Sequence, residues 1–188
     1  MTELQGLLVR LVRILDRAGV PFMIAGSFAS AAHGLPRTTQ DVDVVIDPAN
    51  PEALDALVRS MPPDDYYVDA DTAHDALRRR SMFNVVDRAS GWKVDFIICK
   101  NRAFSRGEFA RRMQLLMLEV PVFVASAEDT VVAKLEWSKQ MGGSERQRRD
   151  VAGIIAAVGD QLDRQYIERW VRDLDVGDEW TEAQKTAV

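Results

Sequence analysis

The chain has a single cysteine, Cys99, among 188 residues. That excludes an intramolecular disulfide and any zinc cage built from cysteines, and a reducing cytoplasm is the compartment that fits. An excess of positive charge is also missing. With 24 Lys and Arg against 29 Asp and Glu, the formal net charge is -5, so no overall basic field advertises a nucleic-acid partner, although a locally basic face remains open. There is no unbroken apolar run at the start: MTELQGLLVRLVRILDRAG carries Glu3, Arg10, Arg13, Asp16 and Arg17 inside its apolar pattern, which fits neither a signal peptide nor a membrane span. Internal repeats, low-complexity segments and long linkers are absent too. What remains is 47% apolar and 28% charged, the balance of a soluble globular chain. Its length suits one ordinary domain, or a core with a small appendage.

Periodicity gives the elements. Leu4, Leu7, Leu8, Leu11, Ile14, Leu15 and Ala18 recur at helical spacing up to Gly19, an amphipathic helix. VPFMIAG reads as a short strand and SFASAAHG as a helix of about two turns, with Ser27 able to cap it. DVDVVID is a strand by its β-branched content. PEALDALVRSM opens on Pro51, suited to a first helical position. Beyond YYVDA, the spacing predicts a helix over TAHDALRRR, and SMFNVVD and WKVDFIIC joined by RASG resemble a hairpin. SRGEFARRM is a short helix, and LLMLEV with PVFVAS supplies the last strand material, interrupted by Pro121. SAED matches a capping box from Ser126 with Asp129 at the third helical position, opening a helix that runs to Gly142 and Gly143. SERQRRDVAGIIAAVGDQL and DRQYIERWVRDLDV are further helices. The fold class is therefore α/β (α+β) for about two thirds of the chain and helical thereafter.

The chemistry concentrates in GSFASAAHGLPRTTQDVDVVID. Side chains alternate along a strand, so Asp41, Asp43, Val45 and Asp47 share one face while Val42, Val44 and Ile46 enter the core. Two carboxylates about 5–6 Å apart repel by roughly 3 kcal/mol at an effective dielectric of about 20. Magnesium offsets that naturally, since it takes oxygen ligands and completes its shell with water and phosphate. The plain alternative is a solvated strand end. Asp95, between Val94 and Phe96, tips the balance, because a charge inside an apolar strand is costly unless paired or metal-bound. The competing reading is a strand exposed on the face that also carries Lys93. Asp47 reads as a turn residue before Pro48.

The acidic pair opens its strand, following RTTQ and preceding VVID. Gly26-Ser27, then Asp41 and Asp43, then a later-strand Asp95 resembles the DNA-polymerase-β-like nucleotidyltransferase superfamily. His33-Gly34 with Arg37-Thr38-Thr39-Gln40-Asp41-Val42-Asp43, and Ser126, Glu128, Asp129, Lys134, Leu135, Arg149 and Asp150 further on, are similar to the AbiEii and MenT type of toxin nucleotidyltransferase. The resemblance spans roughly residues 20 to 155. Ser27 stands where a second Gly is more frequent.

The resemblance implies a nucleotidyltransferase-type mixed β-sheet flanked by helices over residues 1–125 and a helical C-terminal subdomain over 126–188. It implies Mg²⁺, or Mn²⁺, held by Asp41, Asp43 and Asp95, and transfer of a nucleoside monophosphate from a nucleoside triphosphate to a hydroxyl of RNA such as tRNA, or of protein. Asp95 would also accept the proton of that hydroxyl. Gly26, Ser27, Arg37, Lys134 and Asp150 would bind the nucleotide, and a cognate antitoxin would be the partner if the likeness extends to biology. Each role has a plain counterpart. Gly26-Ser27 is an ordinary strand-to-helix turn, Arg37 a loop arginine, Lys134 a lysine snorkelling to solvent, and Asp150 a partner of that lysine or of a surface arginine. His33 reads as a packed structural histidine. Arg78, Arg79, Arg80, Lys100, Arg102, Arg106, Arg111 and Arg112 are either a basic surface for RNA or solvated helix faces. Two other functions stay in play: a degenerate nucleotide-binding module, and an aminoglycoside-like small-molecule nucleotidyltransferase.

Overall fold

The computed structural model describes residues 2–36 and 38–187. The chain folds into two compact units, the first made of Met1–Ile24 and Thr39–Val124, the second of Ala25–Thr38 and Ala125–Val188. Among the described residues, no helix is long and apolar enough to cross a membrane.

The first unit holds a mixed seven-stranded sheet. Its strands are β1 (Phe22–Ile24), β2 (Asp41–Ile46), β3 (Tyr66–Val68), β4 (Met82–Asp87), β5 (Lys93–Ile98), β6 (Met113–Met117) and β7 (Val120–Val124), ordered β3-β4-β5-β2-β1-β7-β6. Helices α1 (Glu3–Ala18), α3 (Pro51–Arg59), α4 (Ala70–Arg79) and α5 (Ala103–Ala110) complete the unit, and α2 (Gly26–His33) lies in the other. The stripe that defines α1 is its buried face, Leu7, Leu8, Leu11, Ile14 and Leu15. Thr2 caps its start and Gly19, at φ 63°, ends it in the left-handed conformation that glycine adopts without strain. The expected hairpin forms as β4 and β5 pair antiparallel, with Phe83 and Phe96 stacked at 5.3 Å between ring centres. Asp87, buried at the end of β4, takes Arg10 of α1 at 2.8 Å and the Ser90 amide at 3.1 Å, which ties helix, strand and turn together.

Pro121 does not interrupt the last strand material, as the sequence suggested. The break falls two residues earlier, where Leu118 and Glu119 both have positive φ and make a two-residue hairpin between β6 and β7. Pro121 lies inside β7 on an exposed position. The parallel partner β1 engages β7 only at Val124, so proline's missing N–H costs no ladder bond to that strand.

The second unit is helical: α2 (Gly26–His33), α6 (Ala127–Gln140), α7 (Glu145–Val158), a 3₁₀ turn (Gly159–Gln161), α8 (Arg164–Asp173) and α9 (Gly177–Thr186). The Ser126 cap is present. Its hydroxyl accepts from the Asp129 amide at 3.1 Å and donates to the Asp129 carboxylate at 2.7 Å, and Tyr166 of α8 donates to the other carboxylate oxygen at 2.5 Å. Ser27, in contrast, is not the cap of α2. The helix begins at Gly26, whose φ of 57° makes the turn, with Ala25 as a cap lacking a side-chain bond; Ser27 is therefore the second helical residue. The helix α9 had no separate periodic signal in the sequence. Glycine and aspartate at its start, and only Trp180 and Ala183 buried along it, leave its apolar stripe narrow.

Candidate active site

In the first unit, β2 and β5 run parallel in a register that sets Asp41 beside Lys93 and Asp43 beside Asp95. Alternation then puts all four side chains on one face of the sheet, while Val42, Val44, Val94 and Phe96 fill the other and are fully buried. The adjacent strand β4 sets Asn84 opposite Asp95, and the Asn84 side-chain amide donates to Asp95 Oδ1.

A cation already stands in this acidic group. Lys93 Nζ lies 3.0 Å from Asp95 Oδ2 and 3.9 Å from Asp41 Oδ1. The hydrogen bond to Asp95 is the main cause holding the Lys93 pKa above its ordinary value, with desolvation opposing it and with Asp95, Asp41 and Asp43 adding attraction. Three carboxylates therefore bear on one position of positive charge. The Asp95 side chain is only 10% exposed, against 51% for Asp41 and 41% for Lys93: the pair is anchored at one end and open to water at the other. No three His, Cys, Asp or Glu among the described residues are drawn together as a metal-ligand set. The donor chemistry nonetheless suits a hard cation, since carboxylates on two neighbouring strands, Asp95 and Asp41, already lie within 4 Å of a single positive charge.

Sequence reasoning missed Asn84 and treated Lys93 only as a sign of exposure. Lys93 carried a usable signal, because its spacing of two from Asp95 puts both on one face. Asn84 carried none until the strand register was known.

The arginines considered as an RNA surface are largely engaged. Arg78 and Arg79 pair with Asp75 of the same helix. Arg80 and Arg106 converge on Asp47, at 3.6 and 2.5 Å, so Asp47 is an ion-pair partner rather than a simple turn residue. Arg112 lies over the rings of Phe109 and Phe123.

In the second unit, Lys134 and Asp150 form a buried ion pair at 2.7 Å, with side chains 5% and 7% exposed. Gln147 accepts from the same ammonium at 2.9 Å. The snorkelling alternative is thereby overturned: apolar neighbours on α6 leave the ammonium no route to water, and α7 supplies its partners instead. His33 Nε2 lies 2.7 Å from the Ala125 carbonyl, the packed role read for it. Gly34 sits where an added Cβ would come within 2.9 Å of the Ile154 amide nitrogen. Gly26 and the N-terminal turn of α2 present a left-handed glycine followed by a helix start, geometry suited to an anion. Arg37 lies outside the described residues.

By sequence, no family model and no curated protein matches. Solved structures do. A solution structure of the antibiotic-resistance factor ANT(2″)-Ia matches with a TM-score of 0.61 at 13% identity, covering 98% of this chain and 98% of that one. The crystal structure of ANT(2″)-Ia in complex with adenylyl-2″-tobramycin matches with a TM-score of 0.61 at 14% identity, over 93% and 98%. An antigenic nucleotidyltransferase-like protein from Paracoccidioides brasiliensis matches with a TM-score of 0.56 at 18% identity, over 99% and 94%. The chain has the nucleotidyltransferase fold. That fold includes the mixed sheet and flanking helices expected from the resemblance.

Proposed function

We propose that the chain is a nucleotidyltransferase that moves a nucleoside monophosphate from a nucleoside triphosphate to a hydroxyl, with Mg²⁺ or Mn²⁺ held by Asp41, Asp43 and Asp95. The observation that carries this reading is the β2–β5 register, which sets Asp43 beside Asp95 and Asp41 two residues away on the same face of a sheet of this fold. When bound, the metal would neutralise charge on the triphosphate and polarise the α-phosphorus. The hydroxyl oxygen forms the new bond to that phosphorus, the bond to the β-phosphate breaks, and pyrophosphate leaves. Asp95, oriented through its other oxygen by Asn84, accepts the hydroxyl proton. Gly26, Ser27 and the first N–H groups of α2 are assigned to phosphate. Lys134 and Asp150 are assigned to holding α6 on α7, and Arg37 keeps its proposed phosphate role from the sequence.

The acceptor is read first as RNA or protein, in line with the toxin-type motifs, and an antitoxin partner belongs to that reading. A second reading, a small cationic acceptor, draws support from a specific observation: Arg78, Arg79, Arg80 and Arg106 are paired with carboxylates, which weakens a basic track for RNA.

The test is incubation with each α-labelled triphosphate and Mg²⁺, offered cellular RNA, lysate protein and an aminoglycoside panel in parallel. Label should pass to one acceptor class with the parent, and Asp41→Ala should lower the rate by roughly a hundredfold or more. Equal labelling by the two proteins, or none by the parent with any acceptor, overturns the reading.

A further inference from the structure

Resting on the reading of Asp41, Asp43 and Asp95 as a cation site, we infer that Lys93 is a tethered competitor of the divalent ion: its ammonium occupies the acidic face and must swing out before metal can seat. The backbone of Lys93 is fixed, being the first residue of β5, in register with Asp41 and with its amide donating to the Gln40 carbonyl at 3.4 Å. The ammonium, by contrast, is carried on a flexible four-carbon stem, and the side chain is 41% exposed. It lies 3.0 Å from Asp95, within the reach of the same oxygen that would ligate metal. Asp95 cannot turn away to serve both cations, because Asn84 holds its other oxygen. A dication on Oδ2 would therefore meet the ammonium's like charge a few ångströms away, and the two compete for that oxygen.

The consequence is quantitative. If the metal-competent state is the fraction of molecules with Lys93 swung out, the apparent dissociation constant is the intrinsic one divided by that fraction. A competent fraction of about a tenth weakens metal binding about tenfold. Without metal, Lys93 relieves the repulsion among the carboxylates; with metal, that service is redundant. Lys93 is thus a positioning residue that sets the metal concentration at which the site fills.

The experiment titrates Mn²⁺ into the full chain, reading free Mn²⁺ by electron paramagnetic resonance, for the parent, Lys93→Met and Lys93→Arg. Lys93→Met should bind Mn²⁺ about tenfold more tightly than the parent, and Lys93→Arg, which keeps the charge, should stay near the parent. Thermal melting gives a readout independent of activity: Lys93→Met should melt below the parent without metal and gain more from added Mn²⁺. Equal affinities for parent and Lys93→Met overturn the competition while leaving the carboxylate site standing. No binding by any of the three removes the carboxylate site and this inference together.

Discussion

Lys93 and Lys134 are each held by an aspartate at hydrogen-bonding distance, yet they sit in opposite media. The Lys134–Asp150 pair has side chains 5% and 7% exposed, whereas Lys93 is 41% exposed on an Asp95 that is 10% exposed. In a dry environment an unpaired charge is very costly, so a buried pair once formed is locked. At a wet edge water can take over from a departing ammonium, so one cation can be exchanged for another. The difference teaches which pair holds shape and which can change partners.

The largest expected effect breaks the dry pair. Asp150→Ala leaves the Lys134 ammonium buried without its carboxylate and should cost about 3–5 kcal/mol of unfolding free energy. A double change to apolar residues, Lys134→Met with Asp150→Leu, should recover most of that loss, since no charge is then buried. Urea unfolding of the three proteins measures both. If Asp150→Ala costs under 1 kcal/mol, the pair is wetter than its burial implies, and the contrast with Lys93 collapses.

Next comes the packing beside that pair. Ile154 lies one helical turn beyond Asp150 on α7, and an added Cβ at Gly34 would meet its backbone nitrogen at 2.9 Å and the Gly153 carbonyl carbon at 3.0 Å. Backbone cannot rotate aside as a side chain can. Gly34→Ala should therefore destabilise by about 1–3 kcal/mol, again read by urea unfolding. A smaller loss, about 1 kcal/mol, is expected for Ser126→Ala, which removes the cap on the first turn of the helix that bears Lys134.

Much of this was legible from residues alone. Local signals located α1 by its stripe, the β4–β5 hairpin by two strand runs joined through the turn-rich RASG, and the start of α6 by Ser126 and Asp129. They also put Asp41 and Asp43 on one strand face. What local signals lacked was partnership. That β2 lies parallel to β5, so that Asp43 meets Asp95, is a pairing between residues 52 positions apart with no trace in either segment. Lys93 was visible as a charge beside Asp95, but whether it faced water or Asp41 depended on that register. The same holds for Lys134. The resemblance made it a phosphate-binding lysine and its apolar neighbours offered escape to solvent as the plain alternative, and only α7 packed on α6 shows the Asp150 carboxylate beside it. The Leu118-Glu119 turn was missed because proline is the stronger punctuation mark, and neither turn residue is the glycine or asparagine that usually signals positive φ.

The smallest stability effect sharpens the comparison most. Asp41 has a side chain 51% exposed and sits 3.9 Å from Lys93, beyond a good hydrogen bond. Asp41→Asn should change unfolding free energy by no more than about 0.5 kcal/mol, because the attraction it loses is screened by water and partly offset by relief from neighbouring carboxylates. Mn²⁺ affinity and nucleotide transfer should nonetheless fall, since a neutral amide is a poorer ligand for a hard cation than a carboxylate. Asp150→Asn should show the reverse order: a large stability loss, with any metal affinity preserved in the fraction that remains folded. Measuring urea midpoint and Mn²⁺ binding on the same two variants crosses the effects. If Asp41→Asn lowers stability as much as Asp150→Asn does, the open acidic face is part of the fold's own support, and exchange of its cation is not what it is built for.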